Sequence, residues 1–263
     1  MSLSADLRQL EADLPACPRV LLELMPLLED ASPASVDTMA ALIESDLALA
    51  AGLVRTVNSA MFGLLRRVET VGEALRYLGS REVAAVTFQT ALRAAFVPTP
   101  AMERLWQDAG RAGLLMGRSA RALGLDPLQA HTAGLFARAG QAVLLARLGP
   151  TYEALQAALG HDLPALCAAE ALACGVHHGA YGSALCARWG LAAPVVHHVR
   201  ERVLSPSTWC HHPPALQRLL ALGAVADALL RDVDPASLAD AHGGADRELL
   251  AAVQPVWASL ASP

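Results

Sequence analysis

The chain has 263 residues, of which 54% are apolar and 17% are charged, and its formal net charge is -5. This length and apolar content allow a sizeable core and exclude a disordered chain. The negative charge and the lack of a basic stripe argue against nucleic acid as a partner. No apolar segment reaches the roughly 20 uncharged residues of a membrane helix, so we expect no membrane span.

The apolar residues recur at helical spacing, and a composition rich in Ala and Leu with 4% aromatics favours helices over strands. We therefore predict an all-α fold. The first half is predicted to form helices at 4–14, 19–29, 35–45, 47–57, 71–78 and 81–96. The second half is predicted to form helices at 102–123, from 127 onward, and at 151–159, 163–174, 180–189, 194–203, 213–231 and 246–260.

The segment 43–79 carries the most specific helix signals. Asp46 stands where an N-cap belongs, so a helix is predicted to begin at Leu47. That helix runs out at Asn58 and Ser59, a polar corner that either caps the fold or faces a ligand. Thr70, with Glu73 three residues on, has the capping-box pattern that opens the next helix.

Three motifs in this half resemble the HDOD family patterns I-x-x-D-P-x-L, N-S-A-x-[FY]-G and A-[IL]-x-x-L-G. The matching residues are Ile43, Asp46, Leu49, Asn58, Ser59, Ala60, Phe62, Gly63, Ala74, Leu75, Leu78 and Gly79. Further on, the family segment H-x-x-x-G-x-x-L-x-x-W-G-L is matched by His178, Gly182, Trp189, Gly190 and Leu191. The resemblance extends from about Leu14 to about Leu230.

The resemblance implies an HDOD-like fold of two packed helical subdomains, the second a degenerate relative of the HD phosphohydrolase bundle. The two prolines in the segment 97–100 bias their predecessors away from helix. We therefore expect an N-terminal subdomain at 1–97 and a C-terminal subdomain at 98–263.

HD phosphohydrolases bind divalent metal through a His, an adjacent His-Asp pair and a later Asp. By the resemblance, Ala137 and Arg138 replace the pair, Asp108 stands at the first His, and Asp227 alone keeps its ligand type. The later family dipeptide His-His falls at Arg202. Alanine has no lone pair to offer, and a guanidinium repels a cation. The resemblance therefore implies a vestigial site without a cofactor or catalysis.

Asp108, Arg138 and Asp227 could instead form an ion pair or triad in which the guanidinium supplies the charge of the lost metal. If the carboxylates are buried, Arg138→Ala is expected to cost about 3 kcal/mol or more. The alternative is a solvated Arg138 without a role.

The cysteines and histidines allow a second reading, a zinc site of the Cys2His2 type. Its candidates are Cys174, His177, His178, Cys210, His211 and His212. The contiguous Cys-His-His of the second group is poor geometry for two ligands, and His178 is more simply a packing or capping residue. The adjacent His197 and His198 point about 100° apart on a helix, so we do not expect both at one ion.

The residues that we expect to bind a ligand or a partner are Asp46, Asn58, Ser59, Arg138 and His178. The first hypothesis is a non-catalytic regulatory protein of bacterial signal transduction, which recognises signalling proteins, including components of a cyclic-dinucleotide pathway, or a nucleotide ligand. The second is a divergent metal-dependent phosphohydrolase acting on a nucleotide or cyclic dinucleotide. A third is a small-ligand sensor. Five cysteines, an odd number at irregular spacing, fit a reducing cytoplasm.

Overall fold

The computed structural model describes residues 14–28, 32–59, 62, 64, 66–160, 162–234 and 247–261. Every regular element in these residues is helical, so the predicted all-α fold is confirmed. The predicted helix at 4–14 lies outside the described residues, apart from Leu14. Within the described ranges, no helix is both long and apolar enough to cross a membrane.

Contacts divide the chain into two units. The N-terminal unit runs from Ala16 to Ala95, and the C-terminal unit runs from Phe96 to Ala261 and includes Leu14 and Pro15. The helices of the N-terminal unit are α1 (Arg19–Leu27), α2 (Pro33–Glu44), α3 (Leu47–Val57), α4 (Val71–Leu78) and α5 (Ser80–Ala94). The helices of the C-terminal unit are α6 (Pro100–Ala120), α7 (Pro127–Phe136), α8 (Ala139–Leu148), α9 (Pro150–Leu159), α10 (Leu163–Cys174), α11 (His178–Arg188), α12 (Ala193–Glu201), α13 (Pro214–Leu230) and α14 (Arg247–Ala261).

The local cap signals form as the sequence predicts. The Asp46 carboxylate accepts a hydrogen bond from the backbone N–H of Leu49 at 3.0 Å, and Asp126 does the same for Gln129 at 2.8 Å. The Thr70 hydroxyl accepts from the N–H of Glu73 at 3.1 Å. The returning bond of this box goes from the N–H of Glu69 to the Glu73 carboxylate at 2.7 Å, one residue ahead of the N-cap.

Several predicted helices differ from the structure by one or two residues at their ends, and two differences have a clear local cause. Helix α6 begins two residues early because the Thr99 hydroxyl caps Met102 at 3.1 Å and Pro100 occupies the first turn, where proline is favourable. The helix predicted from 127 onward is two helices, because the chain turns at Ala137 and Arg138.

Helices α8 and α11 of the C-terminal unit cross at glycine. A Cβ added at Gly140 would lie 1.8 Å from the backbone oxygen of His178 and 2.7 Å from the N atom of Gly182. Any side chain at this position would force the two helices apart. The crossing fixes the spacing between the α7–α8 turn and the first turn of α11.

Candidate functional site

The turn between α7 and α8 presents Arg138 to helix α13. The Arg138 Nη1 donates to Asp227 Oδ1 at 3.0 Å, and its Nε lies 3.9 Å from Asp108 Oδ2. The side chains of Arg138 and Asp227 are 10% and 14% exposed, whereas that of Asp108 is 48% exposed. Of the two alternatives that the sequence left open for Arg138, the ion pair with Asp227 is therefore the one present, and Asp108 lies at its solvent edge.

A second guanidinium completes the pairing of Asp227. Arg202 Nη2 donates to Asp227 Oδ2, and Arg202 Nη1 donates to the backbone oxygen of Ala137 at 3.2 Å. Both carboxylate oxygens of Asp227 are thus bound by arginine. Residue 231, also an arginine, follows Asp227 by one helical turn. We call Asp227 with Arg138, Arg202, Arg231 and Asp108 the Asp227 cluster.

The charges in this cluster keep Asp227 ionised. Burial alone would raise the pKa of the Asp227 carboxyl. The charges of Arg202, Arg138 and Arg231, in decreasing order of effect, outweigh burial and hold this pKa well below its usual range. Asp227 is therefore ionised at neutral pH.

The Asp227 cluster does not fit the divalent metal that HD phosphohydrolases hold. A cation needs several free carboxylate or imidazole ligands, and both oxygens of Asp227 are bound to guanidinium groups. The charges of Arg138 and Arg202 at this carboxylate would repel a cation. The residues predicted as vestigial are thus brought together, and their chemistry is that of an ion cluster.

A different polar network lies around Glu170, which the sequence analysis did not single out. Its carboxylate accepts from the Tyr152 hydroxyl at 2.6 Å, from the backbone N–H of His178 at 2.8 Å and from His178 Nδ1 at 2.8 Å. Glu170 and His178 are each 1% exposed, and Tyr152 is fully buried. We call these three residues the Glu170 network.

The protonation states in the Glu170 network follow from its donors. Burial is the largest effect and opposes ionisation of Glu170, but the hydrogen bonds from His178 and Tyr152 prevail and lower its pKa. Burial lowers the pKa of His178 although Glu170 opposes this effect. An ionised Glu170 therefore accepts the Nδ1–H of a neutral His178, whose buried Nε2 has no hydrogen-bond partner among the described residues. His178 thus positions the start of α11, as the packing interpretation expects.

Cys167 lies beside this network, with its Sγ 4.0 Å from His178 Nδ1. A catalytic relay needs the nucleophile and the acid on different ring nitrogens, and here both face Nδ1. Burial raises the pKa of the Cys167 thiol to about 11, so it stays protonated. The arrangement therefore does not activate a nucleophile.

Among the described residues, one group of three ligand-type side chains comes together, and it consists of Cys167, Glu170 and His178. The zinc set suggested by the sequence is therefore not assembled. Glu170 already accepts three hydrogen bonds, and a metal here would have to displace the Nδ1 proton and ionise the Cys167 thiol. The contacts present are those of a structural network.

The candidates of the N-terminal unit make local contacts. The Asn58 amide donates to the Val68 carbonyl at 2.7 Å and accepts from the Val68 N–H at 2.9 Å, so it fixes the chain after α3. The Ser59 hydroxyl donates to the Thr56 carbonyl at 2.7 Å. Asp46 caps α3 and is exposed. As ligand or partner residues, Asp46, Asn58 and Ser59 stay predictions.

His198 is a buried residue of the C-terminal unit for which the sequence predicted no role. It is fully buried, and in the part of the chain that the structure describes neither of its ring nitrogens has a hydrogen-bond partner. Its ring contacts Gly223, where an added Cβ would lie 2.4 Å from the ring. Burial, reinforced by Arg202 and opposed by Asp227, lowers the pKa of His198 to about 3. His197 is exposed, so the two histidines do face different directions.

Comparison with known proteins gives a family match and a relative. Residues 14–203 match the model of the HDOD domain. An uncharacterized protein of Treponema pallidum is 27% identical over 236 residues, which are 88% of this chain and 45% of that protein. The chain thus spans about half the length of this relative.

Two solved structures share the fold. One, from Shewanella amazonensis SB2B and provisionally named a phosphohydrolase, has a TM-score of 0.75 and 19% identity, over 98% of this chain and 96% of that chain. The other, from Marinobacter aquaeolei VT8 and provisionally named a signal transduction protein, has a TM-score of 0.66 and 21% identity, over 95% and 60% of the two chains. At these identities the likeness concerns the fold.

Proposed function

The chain belongs to the HDOD family, and from this premise we propose that it is a non-catalytic regulatory protein that acts in signal transduction by binding other proteins. The observation that carries the proposal is the pairing of Asp227 with Arg138 and Arg202. By the family resemblance, this ion cluster corresponds to the position at which HD phosphohydrolases hold a catalytic metal. A scaffold with this centre recognises a partner and has no means to activate water.

The proposed partners are signalling proteins, with components of a cyclic-dinucleotide pathway as candidates. The provisional name of the Marinobacter aquaeolei structure supports a role in signalling. All five cysteines are free thiols, which supports the cytoplasm as the proposed location, because a reducing compartment keeps thiols unpaired.

A hydrolysis assay tests the absence of catalysis. The full chain is incubated with mononucleotides, cyclic dinucleotides and bis(p-nitrophenyl) phosphate in the presence of Mg²⁺, Mn²⁺ or Fe²⁺, and products are separated by chromatography. We expect no product above the buffer blank. Turnover that an Asp227→Asn variant loses would defeat the proposal.

Binding of a partner is tested with two leucines that serve as matched probes. Leu47, beside the exposed Asp46, is 83% exposed in the N-terminal unit, and Leu172 is 91% exposed in the C-terminal unit. Photo-crosslinkers at each position in living cells identify the partner, and calorimetry with the purified partner measures affinity. We expect Leu47→Glu to weaken binding at least tenfold and Leu172→Glu to leave it unchanged, because the predicted partner residue Asp46 adjoins Leu47.

The second candidate function is a divergent metal-dependent phosphohydrolase with displaced ligands. The grouping of Cys167, Glu170 and His178 is the observation that favours it, since these side chains could hold an ion. Elemental analysis of the purified chain tests this candidate. A stoichiometric transition metal that chelators remove, and that Cys167→Ala and Glu170→Gln both lose, would support it against our proposal.

A further inference from the structure

Three side chains of metal-ligand type lie on α12 and on the segment that follows it. His197 and Glu201 are four residues apart on α12, so their side chains lie on the same side of the helix. The Nε2 atom of His212, in the segment 202–213 between α12 and α13, lies 3.4 Å from Glu201 Oε2. The ring centroids of His197 and His212 are 6.4 Å apart. We call these three residues the His197 group.

The distance between His212 and Glu201 suits two ligands of one ion better than it suits a hydrogen bond. A charge-assisted hydrogen bond from a nitrogen to a carboxylate is about 2.7–2.9 Å long. Around a tetrahedral zinc ion, with bonds of about 2.0–2.1 Å, two ligand atoms lie about 3.3–3.4 Å apart. The observed separation of 3.4 Å matches the second arrangement.

His197 completes the group by a small rotation of its side chain. Two imidazole rings on one tetrahedral ion have centroids about 5 Å apart, because each centroid lies about 3 Å from the metal. The two rings therefore have to approach each other by about 1 Å from the arrangement in the structure. His197 is exposed, so its ring has space to turn.

Hydrogen bonds hold His212 next to α12. Trp209 Nε1 donates to the Glu201 carbonyl at 3.1 Å, which attaches the segment to the last turn of α12. The backbone N–H of His212 donates to the Trp209 carbonyl at 2.9 Å, and Gln217 Nε2 donates to the His212 carbonyl at 2.6 Å. The position of His212 is thus set by the protein itself, so an ion that binds here has little of the chain to order.

The charges around the His197 group favour a transition metal over Mg²⁺ or Ca²⁺. Glu201 supplies one negative charge, and the exposed Arg200 beside it on α12 opposes that charge. Arg202 binds Asp227, so its charge is held at the Asp227 cluster. The affinity for a cation must therefore come from the two imidazole rings, which suit zinc, nickel and copper, whereas Mg²⁺ and Ca²⁺ prefer several oxygen ligands.

We propose that His197, Glu201 and His212 bind one divalent transition-metal ion, such as zinc, at the surface of the C-terminal unit. Water completes the coordination, because the side chains of Glu201 and His212 are 15% and 24% exposed. The ion links α12 to the segment that leads into α13. This site shares only His212 with the zinc set predicted from the sequence, and it goes beyond the proposed function.

Calorimetric titration of the full chain with ZnCl₂ and with MgCl₂, on protein purified without a histidine tag, tests the site. The variants His197→Gln, Glu201→Gln and His212→Gln each remove one ligand. His211→Gln is the matched control, because His211 is exposed and adjoins His212 but is not in the group. Cys167→Ala tests the other group of ligand-type side chains.

We expect one zinc ion to bind per chain and MgCl₂ not to compete. Each ligand variant should weaken zinc binding about tenfold or more, whereas His211→Gln and Cys167→Ala should leave it unchanged. Arg200→Gln should tighten binding, because it removes a neighbouring positive charge. Zinc should also raise the Tm of the unchanged protein and not that of His197→Gln, which retains its fold because the side chain is exposed.

The inference is overturned if zinc does not bind saturably, if His211→Gln weakens binding as much as His197→Gln, or if Cys167→Ala alone abolishes it. The last result would favour the second candidate function. Zinc-dependent hydrolysis that His197→Gln loses would contradict the non-catalytic role and leave the metal site in place. Absence of both binding and turnover would remove the metal site and leave the proposed function intact.

Discussion

The C-terminal unit contains two polar groups of residues that differ in how completely they are satisfied. In the Glu170 network, each donor meets an acceptor on one carboxylate, and all three side chains are buried. In the Asp227 cluster, Arg138 and Arg202 bind the mostly buried Asp227, and the half-exposed Asp108 lies 3.9 Å from Arg138. The Glu170 carboxylate is fully bound, although the buried Nε2 of His178 has no hydrogen-bond partner among the described residues, whereas Asp108 in the second group remains open to solvent.

This difference predicts that the two groups contribute differently to stability. A buried carboxylate with matched donors stabilises one conformation and offers nothing to solvent. An ion pair at the solvent edge is screened by water and contributes little. Perturbation of each group should therefore have different consequences for stability.

Removal of Asp227 should have the largest effect on stability. Asp227→Ala leaves Arg138 and Arg202 buried without a counter-charge, and we expect a loss of about 3–5 kcal/mol in the free energy of unfolding. Urea denaturation followed by circular dichroism measures it. Asp108→Ala is the control, because its half-exposed carboxylate should contribute under about 1 kcal/mol. Equal losses in both variants would contradict the ranking of these two carboxylates.

Removal of Arg138 should have a smaller effect. The sequence alone led to an expected loss of about 3 kcal/mol or more, but Arg202 still pairs Asp227 in Arg138→Ala. We now expect about 2–3 kcal/mol, measured by the same denaturation. A double-mutant cycle with Arg202→Ala should show that the second removal costs more than the first. Additive losses would mean that the two arginines act independently.

Acidification should reduce stability through buried histidines before the carboxylates titrate. Burial lowers the pKa of His198 to about 3 and that of His131 to about 4, from an unfolded value of 6.5. Stability from each is therefore complete above pH 6.5 and is lost as the pH falls, by about 2 kcal/mol each at pH 5. NMR of the folded chain should show no titration of either ring between pH 7 and 5. Protonation near pH 6.5 in the folded state would disprove this.

Loss of one donor from the Glu170 network should have the smallest effect. Tyr152→Phe removes one hydrogen bond to a carboxylate that keeps two others, so we expect about 1 kcal/mol. Tyr77→Phe is the control, since Tyr77 is 55% exposed. Equal losses in the two variants would show that the Tyr152 hydroxyl adds nothing to the network.

The sequence predicted the helix bounds that depend on interactions between neighbouring residues. Helix α3 has the predicted bounds because Asp46 acts within three residues, and α10 likewise follows Asp162. The break between α7 and α8 was missed because Ala137 turns with nearly helical angles, φ −52° and ψ −32°, so neither proline nor glycine marks the turn. Such a turn has no local signature.

The residues of the candidate site also divide into those that the sequence predicted and those that it did not. The pairing of Arg138 with Asp227 was predicted from the family resemblance, which aligns residues far apart in sequence. Glu170 was missed because a glutamate in a helix is ordinarily exposed. One signal was available: Glu170 is the only charged residue of α10, four residues after the buried Leu166.

Gly140 gives the two polar groups a common mechanical constraint. It stands two residues after Arg138, and its Cα faces the backbone oxygen of His178, where even a methyl group cannot fit. Any larger residue would act as a wedge that moves the arginine turn and the histidine turn in opposite directions. Because glycine carries only a hydrogen atom in place of a side chain, it allows the turn that holds Arg138 and the first turn of α11 to lie close together.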